Sequence, residues 1–220
     1  MNRGAKAPLL HLLENPAIWR GASQASVPAI ATGWAELDAA LPGGGWPCGA
    51  LTELFVDAYG IGELTLLLPA LTRIAEAGQP QVWIAPPMVP YAPALAGAGL
   101  DLTQLLIVQP PVEQQAWTAE ECLRVDGCGA VLAWLPALDH RRLRRLQLAA
   151  AASGACGFLF SPGASRCHPS PAALRIGVAA NGESLEITVY KARGVSGSRS
   201  NESVALRLPS ARSFTDEGGS

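Results

Sequence analysis

Residues 51–72, LTELFVDAYGIGELTLLLPALT, set an apolar run, a glycine-punctuated turn and a helical repeat in direct succession. The run ALTELFV (50–56) has the length and apolar content of a strand. GELTLLLPALTRIAEA (62–77) has helical spacing and is closed by Gly78, with Pro69 as a point of kinking. A strand that passes through a glycine turn into a helix is the first half of a β-α-β unit. The alternation then repeats. QVWIA (81–85), LTQLLIVQ (102–109), AVLAWL (130–135) and CGFLF (156–160) read as strands, and 91–98, 112–125 and 139–153 read as helices. Segments 172–179 and 184–191 flank Asn181-Gly182, the strongest short hairpin signal in the chain. The expected fold class is therefore α/β: a mostly parallel sheet flanked by helices, with a C-terminal antiparallel hairpin.

Outward from this unit, Trp34, Leu37 and Leu41 recur at helical spacing before a Pro-Gly-Gly-Gly break. Residues 1–31 read as an N-terminal helix (8–20) and a linker, 32–193 as the core, and 194–220 as a flexible Ser- and Gly-rich tail. Val204, Ala205, Leu206 and Leu208 form an apolar island in that tail, suited to dock on a partner or on the domain itself. With 220 residues, 49% hydrophobic and 15% charged, the chain is neither disordered nor too short for a sizeable core. A net charge of -2 excludes a globally basic coat for nucleic acid. No apolar run reaches the roughly 18 residues of a membrane span. The early LLHLLENPAIW is broken by His11, Glu14 and Pro16, a poor signal peptide. These features point to the cytoplasm and to no membrane partner. The five cysteines are scattered, without C-x-x-C, and read as reduced, buried small hydrophobes. Cysteine and histidine show no convergent metal-ligand spacing.

The turn VDAYGIGELT (56–65) is where such a sheet holds a phosphate. A working phosphate loop needs G-x-x-x-x-G-K-[ST], whose Lys neutralises the phosphates and whose hydroxyl ligates Mg²⁺. This turn has no Lys and carries Asp57 and Glu63, which repel a triphosphate. The strand AVLAWLP ends in Trp134 and Pro136 rather than in a metal-holding Asp, and QVWIA is followed by Pro86 and Pro87 rather than by a water-orienting carboxylate. ATP hydrolysis is not expected, nor is a thiol–imidazole pair at Cys167-His168, which lies among prolines. The chain reads as a non-enzyme without a cofactor or metal.

Charge is unevenly spread. Residues 36–126 hold eleven acids and two bases, and residues 139–212 hold four acids and eleven bases. DHRRLRRLQLAAAA (139–152) places Arg141, Arg142, Arg144 and Arg145 within five residues, behind Asp139 as a helix N-cap. Four guanidiniums in that spacing suit phosphates or an acidic partner surface; they equally suit the solvated face of an amphipathic helix. With Lys191 and Arg193 they are the candidate DNA- or partner-binding residues.

The order of these elements from Thr32 to about Arg193 resembles the ATPase core of the RecA recombinase family. The likeness rests on TGWAELDAALPGGGWPCGALTELF, on AGQPQVWIAPP followed by ALAGAGLDLTQLLIVQPP, on CGAVLAWLPAL and on AALRIGVAANGESLEITVYKARG. Within that group the chain is most similar to the ImuA family of translesion-synthesis proteins, with the SulA cell-division inhibitors as relatives. The signature is a Gly60-Ile61-Gly62-Glu63-Leu64 turn in place of the phosphate loop. On the RecA pattern, Gly62 falls at the Lys position and Glu63 at the Thr position. Pro86 falls near the catalytic Glu, Trp134 near the metal-binding Asp and Pro162 near the γ-phosphate sensor. The long DNA-binding loops look absent. The resemblance implies a degenerate nucleotide site and an accessory role in SOS-induced mutagenesis. Its implied partners are an ImuB-like Y-family pseudo-polymerase, a DnaE-type error-prone polymerase and RecA itself, with weak DNA binding. The rival it implies is a SulA-like inhibitor that binds a tubulin-like GTPase. A working ATPase is the third reading, and the missing charges weigh against it.

Overall fold

The structure, a computed structural model, describes residues 28–182, 184–193 and 202–207. The expected helix over 8–20 lies outside the described residues. In chain order the elements are β1 (Ala29–Ile30), α1 (Ala35–Ala40), β2 (Trp46–Pro47), β3 (Ala50–Val56), α2 (Glu63–Glu76), β4 (Gln81–Ile84), α3 (Ala92–Gly97), β5 (Leu105–Val108), α4 (Val112–Arg124), β6 (Ala130–Trp134), α5 (His140–Ser153), β7 (Cys156–Pro162), β8 (Leu174–Asn181), β9 (Ser184–Ala192) and β10 (Glu202–Arg207). The main sheet runs β10-β9-β8-β3-β7-β6-β4-β5. Strands β8, β3, β7, β6, β4 and β5 pair in parallel, and β9 and β10 join antiparallel. This is the mostly parallel α/β sheet with a terminal hairpin that the alternation of periods predicts.

Parallel strands need cover on both faces, and the side chains divide accordingly. Leu54, Val56, Trp83, Leu132, Trp134, Phe158 and Phe160 point to one core, closed by Leu66, Leu67, Leu71 and Ile74 of α2. Leu51, Val82, Ile84, Val131, Ala133 and Leu159 point to the other, closed by Leu123 of α4 and by Leu143, Leu146 and Ala150 of α5. Strand β3 is buried along its whole length. On it, Glu53 sits opposite Arg175 of β8, and the two form a buried ion pair with Nε 2.9 Å from Oε2. The Arg175 guanidinium also lies 4.9 Å from the centre of the Phe55 ring. Helix α2 runs unbroken through Pro69. Ahead of it, the indole N–H of Trp34 donates to the Leu66 carbonyl at 3.0 Å and pins the lead-in segment onto α2.

Two boundaries differ from the sequence expectation. Residues 102–104 form a single 3₁₀ turn ahead of β5, because the Asp101 carboxylate accepts the Thr103 N–H at 2.9 Å and holds a turn there. The stretch expected to be a tail contains β10. Most of its apolar island docks on the domain, Leu208 lying outside the described residues: Val204 and Leu206 pair with Ile187 and Leu185 of β9, α1 packs against the strand, and Leu206 is buried in the first core. Alternation of Val204 and Leu206 with exposed Ser203, Ala205 and Arg207 supplies a half-buried edge strand that Ser and Gly content alone obscures. Leu206→Ala should therefore cost about 2–4 kcal/mol and lower the melting temperature by several degrees. Removing residues 194–220 should lower it further in a calorimetric scan. An unchanged melting temperature in both would show that β10 contributes nothing.

Candidate functional site

In an open parallel sheet the ligand crevice lies beyond the carboxyl ends of the strands. Gly60 and Gly62 follow β3, Pro86 follows β4, Trp134 ends β6 and Pro162 ends β7, so topology brings the sequence-predicted residues to this one end. The turn from β3 to α2 passes through left-handed backbone at Gly60 (φ 81°) and Gly62 (φ 105°), which glycine alone adopts without strain. This exposes the N–H groups ahead of the helix, an arrangement that attracts an anion. The anion is supplied by the chain itself. Glu63, the first residue of α2, is buried and turns back. Its carboxylate accepts the Gly60 N–H at 2.9 and 3.1 Å and the Ile61 N–H at 3.0 Å. Burial, and then the neighbouring Glu63 carboxylate, push the Tyr59 hydroxyl pKa up.

Aromatic rings of β4, β6 and β7 pack in the first core. The Trp134 ring stacks on Phe160 with centroids 4.5 Å apart and planes within 3°, and lies 6.0 Å from Trp83. The buried indole N–H groups of Trp83 and Trp134 have no hydrogen-bond partner among the described residues. Pro86 is buried, and its carbonyl accepts the Gln109 side-chain N–H at 3.0 Å. Before it, Ala85 adopts φ 52°, the one non-glycine residue of positive φ among the described residues. That costs about 1–2 kcal/mol and swings the chain off β4. The segment beyond it presents Met88, Val89 and Tyr91, which with Tyr59 make an exposed apolar rim. Asp57 lies against Gly163 at the end of β7: a Cβ at 163 would stand 2.2 Å from its Oδ1. Among the described residues no group of three or more His, Cys, Asp or Glu is placed to hold a metal ion.

The basic candidates divide. Asp139 caps α5 by accepting the Arg142 N–H at 2.7 Å, as its position predicts. Arg141, Arg142 and Arg144 are exposed and make no salt bridge among the described residues. Arg145 turns to α4, where its Nη2 stands 2.8 Å from Oε2 of Glu120. The other Glu120 oxygen is held by Arg124. Lys191 and Arg193 donate to the Ser170 and Pro171 carbonyls at 2.8 and 2.9 Å and staple the loop before β8. Burial, and then the charges of Arg193 and Arg175, pull the Lys191 pKa down. Arg193 lines a cavity with Gln147 and Ala151, about 15 Å along α5 from Arg141. The six residues thus form two groups rather than one patch. Sequence reasoning missed Glu120, Glu53 and Arg175. Their only visible signal is a charge at an otherwise apolar position of the periodic pattern.

The fold and site define an α/β protein whose turn after β3 is held by its own Glu63 carboxylate. No family model matches the chain. It is 32% identical over 114 residues to the cell division inhibitor SulA of Edwardsiella piscicida, a match spanning 49% of this chain and 68% of that protein. The chain belongs to the SulA family.

Two outcomes follow from these contacts. Glu63→Ala leaves the Gly60 and Ile61 N–H groups without their acceptor and should cost about 1–3 kcal/mol in urea unfolding, with Glu63→Gln costing less because one oxygen remains. Arg145→Glu, which sets a carboxylate against Glu120, should destabilise by about 1–2 kcal/mol, while Arg142→Glu should leave stability within about 0.5 kcal/mol. Equal effects of the two reversals would overturn the division of the basic helix.

Proposed function

We propose that this protein is a non-catalytic, RecA-like accessory protein of the SOS response that works by docking other proteins. Its place is the cytoplasm. The observation that carries the reading is the Glu63 carboxylate seated on the N–H groups of Gly60 and Ile61. A phosphate chain would have to displace a buried negative charge from those donors, and no Lys or Arg stands in residues 57–65 to offset the repulsion. On this reading the turn is a degenerate phosphate loop, and Trp134 fills the place of a metal-binding carboxylate. Its docking role is that of an ImuA-like adaptor in translesion synthesis, joining an ImuB-like pseudo-polymerase to a DnaE-type error-prone polymerase, with RecA as a further contact. Arg141, Arg142 and Arg144 are the cationic contribution to partner or DNA contact.

A second reading is a SulA-like division inhibitor that binds a tubulin-like GTPase. The identity to SulA over 114 residues favours it. The two readings differ in what the protein captures. From DNA-damaged cells, the adaptor should co-purify with a pseudo-polymerase, and its overproduction should leave division intact. The inhibitor should retain the GTPase and produce filamentous cells with continuing replication. Titration of Mg-ATP into the purified chain should give no heat above dilution. Micromolar binding would sink the non-catalytic reading under either partner. Reversing Arg141, Arg142 and Arg144 together should weaken DNA or partner binding and flatten its salt dependence, by about one slope unit per lost phosphate contact where DNA is bound.

A further inference from the structure

Away from the strand-end crevice, at the amino ends of the strands, two cysteines from distant parts of the sequence meet. Cys48 lies at the corner between β2 and β3, and Cys156 opens β7; their sulfurs are 3.5 Å apart, with the Cys156 S–H donated to Cys48. The backbone on each side is fixed. The Cys48 N–H donates to the Pro28 carbonyl at 2.8 Å, the Gly49 N–H to Gly154 at 2.9 Å and the Cys156 N–H to Gly129 at 3.0 Å. Bond formation at about 2.05 Å thus asks for an approach of roughly 1.5 Å, within reach of side-chain rotation. Both residues line a partly open cavity of about 100 Å³, together with Ile30, Gln79, Cys128 and Ser153. Cys48 is half-buried and offers the approachable sulfur, whereas Cys156 lies beneath it, 3% exposed.

We propose that Cys48 and Cys156 form an oxidation site, a dithiol that a small hydroperoxide closes to a disulfide. The Cys48 thiolate attacks one oxygen of the hydroperoxide, the O–O bond breaks, and Cys48 becomes a sulfenic acid. The departing alkoxide or hydroxide takes up the proton that Cys48 released on ionising. The Cys156 sulfur then attacks the Cys48 sulfur, and the displaced hydroxide leaves as water with the Cys156 proton. Two thiols and one hydroperoxide give one disulfide, one alcohol or water, and one further water. The two sulfurs supply the two electrons.

Charge favours Cys48 as the attacking sulfur. The S–H donated by Cys156 pulls its pKa down from the usual 9 to about 7, against the opposing effect of burial. The hydrogen bond to Cys48, and then burial, drive Cys156 well up, burial pushes Cys128 up to about 11, and burial with the Glu121 charge raises Cys122. A thiol at about 7 is half ionised at neutral pH. The lower nucleophilicity of the more acidic thiolate reduces this gain to about a fivefold advantage in rate. Disulfides of reducing compartments are characteristically transient and redox-sensing, so a closable pair is informative where a lone thiol is not.

Each of the five cysteines falls on its own tryptic peptide, those of Cys48 and Cys156 being 21–73 and 146–166. The whole chain is exposed to one equivalent of hydrogen peroxide at pH 7, alkylated, digested without reductant and mapped. The expected result is peptide 21–73 joined to 146–166, with the loss of two free thiols per chain and Cys122, Cys128 and Cys167 still alkylated. In Cys156→Ser, Cys48 should persist as a sulfenic acid trapped by a 1,3-dione. In Cys48→Ser, peroxide consumption should slow about fivefold. The proposal is overturned if Cys48 and Cys156 remain alkylated while Cys167 or Cys122 is oxidised, or if the cross-link joins two chains through any other pair. Should Cys156→Ser fail to fold, the map of the unaltered chain still decides.

Discussion

The architecture depends on burying β3 on both faces while pairing it on both edges. A parallel strand in that position has no water for its backbone, so β7 and β8 pair along it and the Gln147 side chain of α5 accepts the Leu51 N–H at 3.1 Å. The same burial demands two separate apolar layers, one under α2 and one under α4 and α5. The crevice inherits its place from this constraint, because the strands β3, β4, β6 and β7 all end at one edge of the sheet. What stands at that end is local chemistry: a carboxylate turned back on its own turn, and the Trp134 ring stacked on Phe160. The carboxylate engages two of the N–H donors, those of Gly60 and Ile61, that an outside anion would meet at this turn. Beside it, Tyr59, Met88, Val89 and Tyr91 stay exposed to solvent.

Much of this was legible in the sequence, for physical reasons. Core strands such as ALTELFV and AVLAWL are unbroken apolar runs because both faces are covered, and the Asn181-Gly182 signal marks its hairpin. The turn 57–62 and its lack of a cation are equally plain. The direction of a side chain is not. Glu63 reads as a repelling charge near an anion site, yet it is the occupant of that site. Arg145 reads as one of four equivalent arginines, yet a buried glutamate on α4 claims it. Both outcomes depend on which neighbour tertiary packing brings within 3 Å, and single-chain spacing carries no such information. The segment from Gly194 misled for another reason: four alternating residues within a Ser- and Gly-rich stretch are too few to outweigh its composition, whereas an available edge of β9 is enough to order them.

The imbalance of charge along the sequence is partly resolved inside the molecule. Glu53 and Glu120 of the acidic half meet Arg175 and Arg145 of the basic half. Arg141, Arg142 and Arg144 on the first turns of α5 stay exposed, set apart from Lys191 and Arg193.

The Glu53–Arg175 pair has a consequence for how the sheet assembles. Strands β3 and β8 are apolar nearly throughout, and apolar contacts alone tolerate sliding. A slip of one residue would put the two charges on opposite faces and leave each without its partner in the apolar interior, at a cost of several kcal/mol. The pair thus acts as an alignment key: it adds little to the depth of the native well but raises the floor of the neighbouring wells, so that one phase of the two strands is selected among many of similar greasiness.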